Sequence, residues 1–215
     1  PPATTPLLGL GLTETSPGAC AMPLAAPWDG TVGLPLPSTD VSIRDDDFNE
    51  LPVWTGAGDI EKHTGEICIR GPQVMKGYWN NPVETANVLR AGWLKTGDVG
   101  HLDEQGRVTI TDRKKDMILV SGFNVYPTEV ESVVAAHPGV LECAVVAVPD
   151  EKSGEAVKVV IVRKDPNLTK ESVIEHCRAL LTSYKVPRQV EFLDALPKTP
   201  IGKILRRELR NQSGS

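Results

Sequence analysis

The chain has 215 residues and a formal net charge of -5, and its sequence pI is about 5.4. This length suffices for one large domain or for two of about 100 residues each. The acidic balance argues against a dedicated nucleic-acid-binding protein, although the run from Lys203 to Arg210 is locally basic. The four cysteines include no Cys-x-x-Cys pair, so the sequence predicts neither a zinc site nor a disulfide framework.

The composition also bears on location. No apolar run approaches the roughly 18 residues that a membrane-spanning helix needs, and no charged-then-apolar secretory leader is visible. Cysteines of this kind fit a reducing compartment, and we expect a cytoplasmic protein. The chain starts with Pro1-Pro2 and no methionine, so we expect it to be a fragment of a longer protein.

The first half of the chain is predicted to be mainly β. Residues 1–60 are rich in proline and glycine and predict loops with short strands, such as Val41-Ser42-Ile43. Residues 65–71 alternate polar and apolar side chains between two glycines, which is typical of a half-buried strand. Residues 99–103 and 107–111 flank a glycine-containing turn and predict a hairpin. A small barrel is the architecture we expect for this half.

Strands and helices alternate after Asp116. Residues 117–120 predict a short buried strand, and residues 143–148 and 156–162 predict two longer ones. Thr128-Glu129-Val130-Glu131 has the spacing of a capping box, which predicts a helix that ends near His137. The second half therefore begins as a small α+β unit.

A second helix is predicted to open at Thr169. Residues 189–193 then predict a strand, and residues 204–209 a short terminal helix. The expected fold class is α+β throughout. The apolar positions that predict the Thr169 helix are Val173, Ile174, Cys177, Leu180 and Leu181.

A charged run marks the change of composition. Asp112-Arg113-Lys114-Lys115-Asp116 stands directly before the apolar strand and Gly122. We place a domain boundary here, between residues 1–112 and 113–215. Charge in place of the usual glycine, serine or proline suits a hinge whose exposed side chains find different partners in two arrangements. A solvated turn before a buried strand is the alternative.

Two residues near this run suit recognition of a sugar. Asp98 follows a glycine in Thr96-Gly97-Asp98, and a carboxylate presented from a turn can accept two hydrogen bonds from a ribose diol. Arg113 can donate to the same sugar or to a phosphate. The alternatives are that Asp98 only shapes a turn and that Arg113 is solvated.

Lys203 is the candidate catalytic residue. It ends the loop Pro200-Ile201-Gly202-Lys203, which places one flexible glycine just before the lysine. A compact ammonium delivered there can stabilise negative charge that develops on a phosphate and a carboxylate. The alternative is a solvated helix face that Lys203 shares with Arg206, Arg207 and Arg210.

The segment Thr13-Glu14 offers a hydroxyl for a phosphate and a carboxylate for Mg²⁺. The preceding Gly9-Leu10-Gly11 lacks the third glycine of the dinucleotide-binding fingerprint, because position 14 is Glu14. We therefore reject a Rossmann-type site.

Taken together, these motifs resemble the adenylate-forming superfamily of acyl-CoA synthetases, firefly luciferase and peptide-synthetase adenylation domains. The resemblance covers nearly the whole chain and is strongest to the bacterial long-chain fatty acid:CoA ligase branch. Its motifs, in order, are Gly11-Leu12-Thr13-Glu14, Gly65-Glu66-Ile67, Gly77-Tyr78-Trp79, Thr96-Gly97-Asp98, Asp112-Arg113-Lys114-Lys115-Asp116 and Pro200-Ile201-Gly202-Lys203.

The resemblance implies a role for each candidate residue in nucleotide binding. Asp98 and Arg113 would hold the ribose of ATP, Glu14 would bind magnesium, and Thr13 would contact phosphate. Leu10 stands where the family usually has a tyrosine that stacks on adenine. Residues 1–112 would be the carboxy-terminal part of the large adenylation domain.

Residues 113–215 would be the mobile carboxy-terminal lid. By the same resemblance Lys115 would be the pivot, Gly122 would line the tunnel for the pantetheine of coenzyme A, and Lys203 would assist attack of the carboxylate on the α-phosphate. The implied reaction joins a fatty acid to ATP as acyl-AMP with release of pyrophosphate, and then transfers the acyl group to coenzyme A with release of AMP.

The implied partners are small molecules: fatty acid, ATP and coenzyme A, with no nucleic acid. Contact with the inner membrane would be peripheral, because the fatty acid arrives from the bilayer, and a homodimer is compatible with the sequence. The chain contains no phosphate loop rich in serine, threonine and glycine. We therefore expect this fragment to be inactive alone.

Three other functions stay open. The first is a fatty acyl-AMP ligase that passes its product to a carrier protein, and the second is a peptide-synthetase-type adenylation enzyme. A carrier domain would follow the lysine loop in the latter, whereas this chain stops about ten residues beyond it. The third, of another class, is a non-catalytic interaction module, which predicts no nucleotide contacts.

Overall fold

The structure is a computed structural model, and it describes residues 8–24 and 27–211. The chain divides into two compact units between Lys114 and Lys115. The expected α+β class is confirmed, with the small barrel of the first half present as a curled half-barrel sheet. The part of the loop prediction that falls on residues 1–7 and 25–26 lies outside the described residues. No helix in the described ranges is long and apolar enough to cross a membrane.

The first unit contains two antiparallel sheets. A small sheet has the order β1-β2-β3, and a larger one has the order β4-β5-β7-β6, with β8 also paired to β7. One short helix, α1, precedes β6. The bounds are β1 Gly9–Gly11, β2 Gly18–Ala21, β3 Leu34–Pro35, β4 Asp40–Arg44, β5 Gly65–Arg70, α1 Pro82–Val88, β6 Leu89–Arg90, β7 Trp93–Leu102 and β8 Val108–Arg113.

The core of this unit lies around β5, the strand between β4 and β7. Ile67, Cys68 and Ile69 are each 0% exposed, so consecutive side chains of β5 are buried on both faces of the sheet. Leu10 of β1 is also buried in this core. The position where the resembled family carries a tyrosine is therefore a packing position in this chain.

Two elements of the first unit differ from expectation. Strand β7 begins at Trp93 and not at Val99, because the motif around Gly97 interrupts the alternation by which a strand is recognised. Helix α1 was not expected, although its signals are present. The Asn81 side chain accepts a hydrogen bond from the Glu84 amide, and Pro82 occupies the first turn.

The second unit has one five-stranded sheet with helices on both faces. Its order is β10-β9-β12-β11, and β13 pairs parallel to β12. The bounds are β9 Ile118–Val120, β10 Phe123–Val125, α2 Pro127–Ala135, β11 Val140–Asp150, β12 Gly154–Arg163, α3 Lys170–Leu180, β13 Gln189–Leu193 and α4 Arg206–Asn211.

The long apolar run of β12 is explained by burial on both faces. Val157, Val159 and Ile161 belong to a core that also contains residues of α2 and α3. Val160 and Val162, which point the other way, belong to a second core with Leu209 of α4 and Leu196. A strand covered on both faces reads as continuous hydrophobic sequence.

The sequence-based helix boundaries were partly wrong. The N-cap of α2 is Tyr126, with Pro127 in the first turn, and not Thr128. The capping box fails because its glutamate, Glu131, instead accepts a hydrogen bond from the Val145 amide at 2.8 Å. Helix α4 begins at Arg206, two residues later than expected.

The prediction for α3 holds at its start. Thr169 is its N-cap, and the Thr169 hydroxyl accepts a hydrogen bond from the Ser172 amide. Four of the five expected apolar positions are buried or packed against the core. Leu180 is the exception at 60% exposed, although the next residue, Leu181, packs against the core.

Candidate functional site

Thr96-Gly97-Asp98 forms a bulge in β7. Glu66 of β5 pairs with Val99, and Cys68 pairs with Lys95, so one residue of β5 faces three residues of β7. A bulge of this kind redirects side chains and is frequent beside functional sites. Gly97 has φ +73°, a conformation that favours glycine.

Thr96 fixes the shape of this bulge. Its hydroxyl donates to the Ile67 carbonyl oxygen at 2.7 Å and accepts a hydrogen bond from the Asp98 amide at 3.1 Å. The first residue of the motif therefore anchors the bulge to β5 and positions the third. Thr96 and Gly97 therefore shape the bulge, and Asp98 is the residue of the motif whose side chain is a candidate for binding a ligand.

The two candidate sugar-binding residues meet across the sheet. Asp98 of β7 and Arg113 of β8 are direct partners in the strand register. Arg113 Nε lies 3.1 Å from Asp98 Oδ1, and the aspartate side chain is 7% exposed while the arginine side chain is 57% exposed. The structure thus joins a shielded carboxylate to a guanidinium that reaches solvent.

Glu66 is a residue at this site that the sequence reasoning did not assign. Its side chain is 6% exposed and lies within ion-pair distance of Lys114 Nζ, 3.0 Å from Glu66 Oε2. Its other oxygen, Oε1, accepts a hydrogen bond from the Gly97 amide at 3.1 Å. The sequence signal for Glu66 was the Gly65-Glu66-Ile67 motif, which contributed to the family resemblance but was assigned no role.

Lys114 has a second acidic partner, Asp46, whose Oδ1 lies 2.7 Å from Lys114 Nζ. Burial favours the neutral amine and is the largest single influence, but the hydrogen bonds to Asp46 and Glu66 and the charges of these two carboxylates outweigh it. Together they raise the pKa of Lys114. Lys114, the last residue of the first unit, is therefore charged, and its side chain is held by two carboxylates.

Glu14 is paired with a second residue that sequence reasoning missed. Thr13, Glu14 and Thr15 form a single 3₁₀ turn, in which Thr13 is exposed and Glu14 is half-buried. The Tyr78 hydroxyl donates to Glu14 Oε1 at 2.7 Å. This hydrogen bond, with burial and the Glu14 charge, raises the pKa of Tyr78 to about 12. Tyr78 belongs to the Gly77-Tyr78-Trp79 motif.

Glu14 is the candidate ligand for magnesium. The described residues contain no group of three or more histidine, cysteine, aspartate or glutamate side chains that could hold a metal ion. Magnesium, however, is commonly held by one or two carboxylates together with phosphate oxygens and water. A single half-buried carboxylate on a fixed turn fits that mode of binding and does not fit a closed protein cage.

Lys115 and Gly122 lie near the start of the second unit. Lys115 is exposed and belongs to the 3₁₀ turn Lys114–Asp116, at the boundary between the units. Gly122 and Ser121 connect β9 to β10, with φ values of +87° and +51°. Two positive φ values define a type I′ hairpin turn.

The surroundings of Gly122 are open. A Cβ atom built on Gly122 would meet no other atom of the described chain within 4 Å. The glycine is therefore required for the shape of its turn and not by close packing within this unit. An open glycine at the tip of a hairpin leaves room for a narrow ligand to pass.

Lys203 projects from a loop that is fixed at its base. The Lys203 carbonyl oxygen accepts a hydrogen bond from the Thr199 amide at 2.8 Å, and the Lys203 amide donates to Thr199 Oγ1 at 3.1 Å. Gly202 has φ +82°. Over the part of the chain that the structure describes, Lys203 Nζ forms no ion pair, and no hydrogen bond links it to Lys115 or Gly122. The backbone is held while the ammonium stays exposed.

Two arginines of α4 are partly buried in ion pairs, so the alternative of a uniformly solvated helix face is wrong for them. Arg206 Nη2 contacts both carboxylate oxygens of Glu131 at 2.8 Å, and Arg206 Nη1 lies 3.6 Å from Asp116 Oδ2. Arg210 Nη2 lies 2.8 Å from Asp116 Oδ1. Only Arg207 of this trio is exposed. Arg206 and Arg210 hold α4 in the unit, and Lys203 stands apart from them.

Comparisons with known proteins agree with these motifs. Residues 4–79 match the sequence model of the AMP-binding enzyme family, and residues 129–203 match that of the AMP-binding enzyme C-terminal domain. The chain is 56% identical over 207 residues to a long-chain-fatty-acid–CoA ligase of Yersinia pestis, covering 96% of this chain and 35% of that protein. The corresponding ligase of Escherichia coli O6:H1 is 53% identical over 208 residues, covering 96% of this chain and 36% of that protein.

A solved structure shows the same relationship. ATP-bound MatB from Rhodopseudomonas palustris superimposes with a TM-score of 0.86 at 38% identity, covering 96% of this chain and 40% of that chain. The present chain thus spans 35% to 36% of the length of these two ligases. On the two family models and these relatives, the chain belongs to the AMP-binding, adenylate-forming enzyme family.

Proposed function

We propose that this chain is the carboxy-terminal part of a long-chain fatty acid:CoA ligase, which activates a fatty acid with ATP and transfers it to coenzyme A. The observation that carries the proposal is the Asp98–Arg113 pair, held in register on the Thr96-Gly97-Asp98 bulge. The identity of 53% to 56% with ligases of that name supports the long-chain substrate.

Asp98 would accept hydrogen bonds from the ribose hydroxyls. A shielded carboxylate forms stronger charge-assisted hydrogen bonds than one in open water. Arg113 forms an ion pair with that carboxylate and presents its remaining N–H groups outward, toward the sugar or a phosphate. Both residues lie on paired strands, so the geometry for the sugar is set before ATP binds.

Glu14 would bind Mg²⁺, and the Thr13 hydroxyl would donate to a phosphate oxygen. The ion would supply charge neutralisation between the phosphate oxygens. Tyr78 holds one oxygen of Glu14, so the carboxylate is oriented by a hydrogen bond and by the turn that carries it. The family membership supports use of ATP and coenzyme A.

Lys203 would supply the positive charge for the first half-reaction. The carboxylate of the fatty acid attacks the α-phosphate, and pyrophosphate leaves, while the ammonium stabilises the charge that develops between them. An exposed side chain on a fixed loop base suits a group that must enter a site and leave it again.

The second half-reaction needs another group at the same place. We propose that residues 113–215 are a mobile lid on the carboxy-terminal part of the large domain, residues 1–112. Rotation at Lys115 would withdraw Lys203 and bring Gly122 to the path of the coenzyme A thiol. The open hairpin tip at Gly122 supports the last step. Cytoplasmic location, peripheral membrane contact and a homodimer stay predictions.

The test separates the two half-reactions in the intact protein. Lys203→Ala should lower ATP–pyrophosphate exchange by about 10²-fold or more, as loss of a transition-state contact does. Transfer of supplied acyl-AMP to coenzyme A should change by less than about twofold. Lys152→Ala removes another exposed lysine of the same unit and should leave both rates unchanged.

Other results would favour the competing functions. Release of acyl-AMP without transfer to coenzyme A by the unmodified protein would indicate an acyl-AMP ligase. Absence of pyrophosphate exchange would indicate a non-catalytic module. Equal loss of both half-reactions in Lys203→Ala would remove Lys203 from the adenylation step.

A further inference from the structure

One buried carboxylate contacts both chain neighbours of the sugar-binding pair. Glu66 Oε1 accepts a hydrogen bond from the amide of Gly97, which precedes Asp98, at 3.1 Å. Glu66 Oε2 accepts one from the ammonium of Lys114, which follows Arg113, at 3.0 Å. Since Asp98 and Arg113 pair across the strands, these five residues form a closed ring.

The burial of Glu66 makes these contacts strong. Its side chain is 6% exposed, and a shielded carboxylate without partners would be costly, so both oxygens are held where their donors lie. A second cation, Lys95, is further away, with Nζ 3.9 Å from Oε2. The carboxylate therefore has two direct partners, and each lies beside one member of the sugar-binding pair.

The bulge needs such a restraint. Gly97 has φ +73°, and a Cβ built there would meet no neighbour within 4 Å, so side-chain packing does not fix this residue. Glycine is the residue with the most alternative backbone conformations. The hydrogen bond from the Gly97 amide to Glu66 removes that freedom immediately before Asp98.

The second contact of Glu66, to Lys114 beside Arg113, forms the other arm of the ring. Lys114 is restrained in this arm from two sides. Lys114 Nζ lies between Glu66 and Asp46, at 3.0 Å and 2.7 Å. The Asp46 side chain is 85% exposed, whereas that of Glu66 is buried, so Glu66 is the fixed end of this arm. The Arg113 side chain is itself 57% exposed and has little packing to hold it.

We propose that Glu66 is a positioning residue for the ribose of ATP, which keeps Asp98 and Arg113 aligned by binding Gly97 and Lys114. This inference rests on the proposed function. Glu66 contacts neither the sugar nor the phosphates in this scheme and acts only through its ring. Its effect should therefore depend on whether the nucleotide carries the ribose hydroxyls that Asp98 binds.

The experiment compares ATP with 2′,3′-dideoxy-ATP in pyrophosphate exchange by the intact protein. Glu66→Ala should raise the KM for ATP about tenfold, the effect of losing one well-placed hydrogen bond. It should raise the KM for 2′,3′-dideoxy-ATP by less than about twofold, because that nucleotide already lacks both hydroxyls. If Glu66 were needed only for folding, its substitution would raise the KM for both nucleotides equally.

Two milder variants remove the contact to Lys114 and keep the one to Gly97. Glu66→Gln keeps an oxygen for the Gly97 amide and loses the ion pair, and Lys114→Met loses the ammonium that pairs with Glu66 and with Asp46. Both should raise the KM for ATP about threefold, again without a matching rise for 2′,3′-dideoxy-ATP. Glu50→Gln changes an exposed carboxylate of the same unit, 66% exposed, and should alter neither value.

The outcomes distinguish this inference from the proposed function. If the unmodified protein catalyses no exchange, the proposed function fails. If it does catalyse exchange and the folded Glu66 and Lys114 variants show equal rises for both nucleotides, or none, the positioning role is wrong. Lys114→Met keeps the test available where Glu66→Ala does not fold.

Discussion

Arg113 Nε lies 3.1 Å from Asp98 Oδ1, and the two residues face each other in the register of β7 and β8. They are 15 positions apart in the chain and belong to two different motifs. The hairpin between them brings the motifs together. Asp98 lies in the bulge, while Arg113 is the last residue of β8, one residue before the end of the first unit.

The first prediction concerns this pair. Asp98→Asn should lower kcat/KM for ATP in adenylation by about 10- to 100-fold, because a charge-assisted hydrogen bond contributes roughly 1.5–3 kcal/mol. Arg113→Met should have a smaller effect, since the arginine is more than half exposed. Initial rates of pyrophosphate exchange for both variants and the double variant measure the coupling.

The matched control for the pair is Asp47→Asn, an exposed aspartate of the same unit, which should leave kcat/KM unchanged. Exactly additive effects of the two substitutions would contradict a shared role, because residues that act through one contact are not additive.

The second prediction is a pH effect at Tyr78. Its pKa is raised to about 12, so the folded protein holds the phenolic proton more tightly than the unfolded chain, whose tyrosines titrate near 10. The stabilisation is complete below about pH 10 and is lost as the pH rises through about 12. Absorbance at about 295 nm should show one late-titrating tyrosine among the three of the chain.

Glu14→Ala removes the hydrogen-bond acceptor and so tests the cause of that shift. Because the Glu14 hydrogen bond is its largest cause, the variant should bring the pKa of Tyr78 back toward 10. Tyr78→Phe identifies the signal by removing it. An unchanged late titration in Glu14→Ala would show that the hydrogen bond does not raise the pKa.

The third prediction is about stability. Arg206 neutralises Glu131 and Asp116, whose side chains are 18% and 13% exposed. Arg206→Met should lower the free energy of unfolding by about 1–3 kcal/mol, because it leaves two shielded carboxylates with fewer partners. Urea unfolding monitored in the second unit measures the change.

Arg207→Met provides the control for the same helix. Arg207 is exposed, so its substitution should change the free energy of unfolding by less than about 0.5 kcal/mol. Similar losses in both variants would show that helix α4, and not the Arg206 ion pairs, determines the effect.

The fourth prediction uses the hairpin turn at Gly122. Gly122→Ala should destabilise the protein by about 1–2 kcal/mol, because φ +87° is strained for any residue with a Cβ. Ser121→Asn should be neutral or slightly stabilising, since asparagine tolerates the positive φ of this position. Thermal unfolding of both variants measures the difference.

The same two variants probe function. Gly122→Ala should slow acyl transfer to coenzyme A more than it slows adenylation, whereas Ser121→Asn should affect neither. A loss confined to adenylation would exclude Gly122 from the thiol path.

The sequence alone determined a good part of the fold. Helix α3 follows from an apolar face and a threonine cap, and β13 from a short alternation of polar and apolar residues, because each pattern is local. It also located the candidate residues Thr13, Glu14 and Lys203, since ordered motifs narrow the possibilities more than any single motif does.

Only the tertiary structure decided how those residues are supported. The roles of Glu66, Tyr78 and Arg206 rest on partners that lie 31, 64 and 75 positions away in the chain. Glu131 has the spacing of a helix cap and instead binds Val145 and Arg206, because a charged side chain takes the partners that folding places beside it. Local patterns fix the type and order of the elements, whereas strand register and long-range contact fix which charged groups meet.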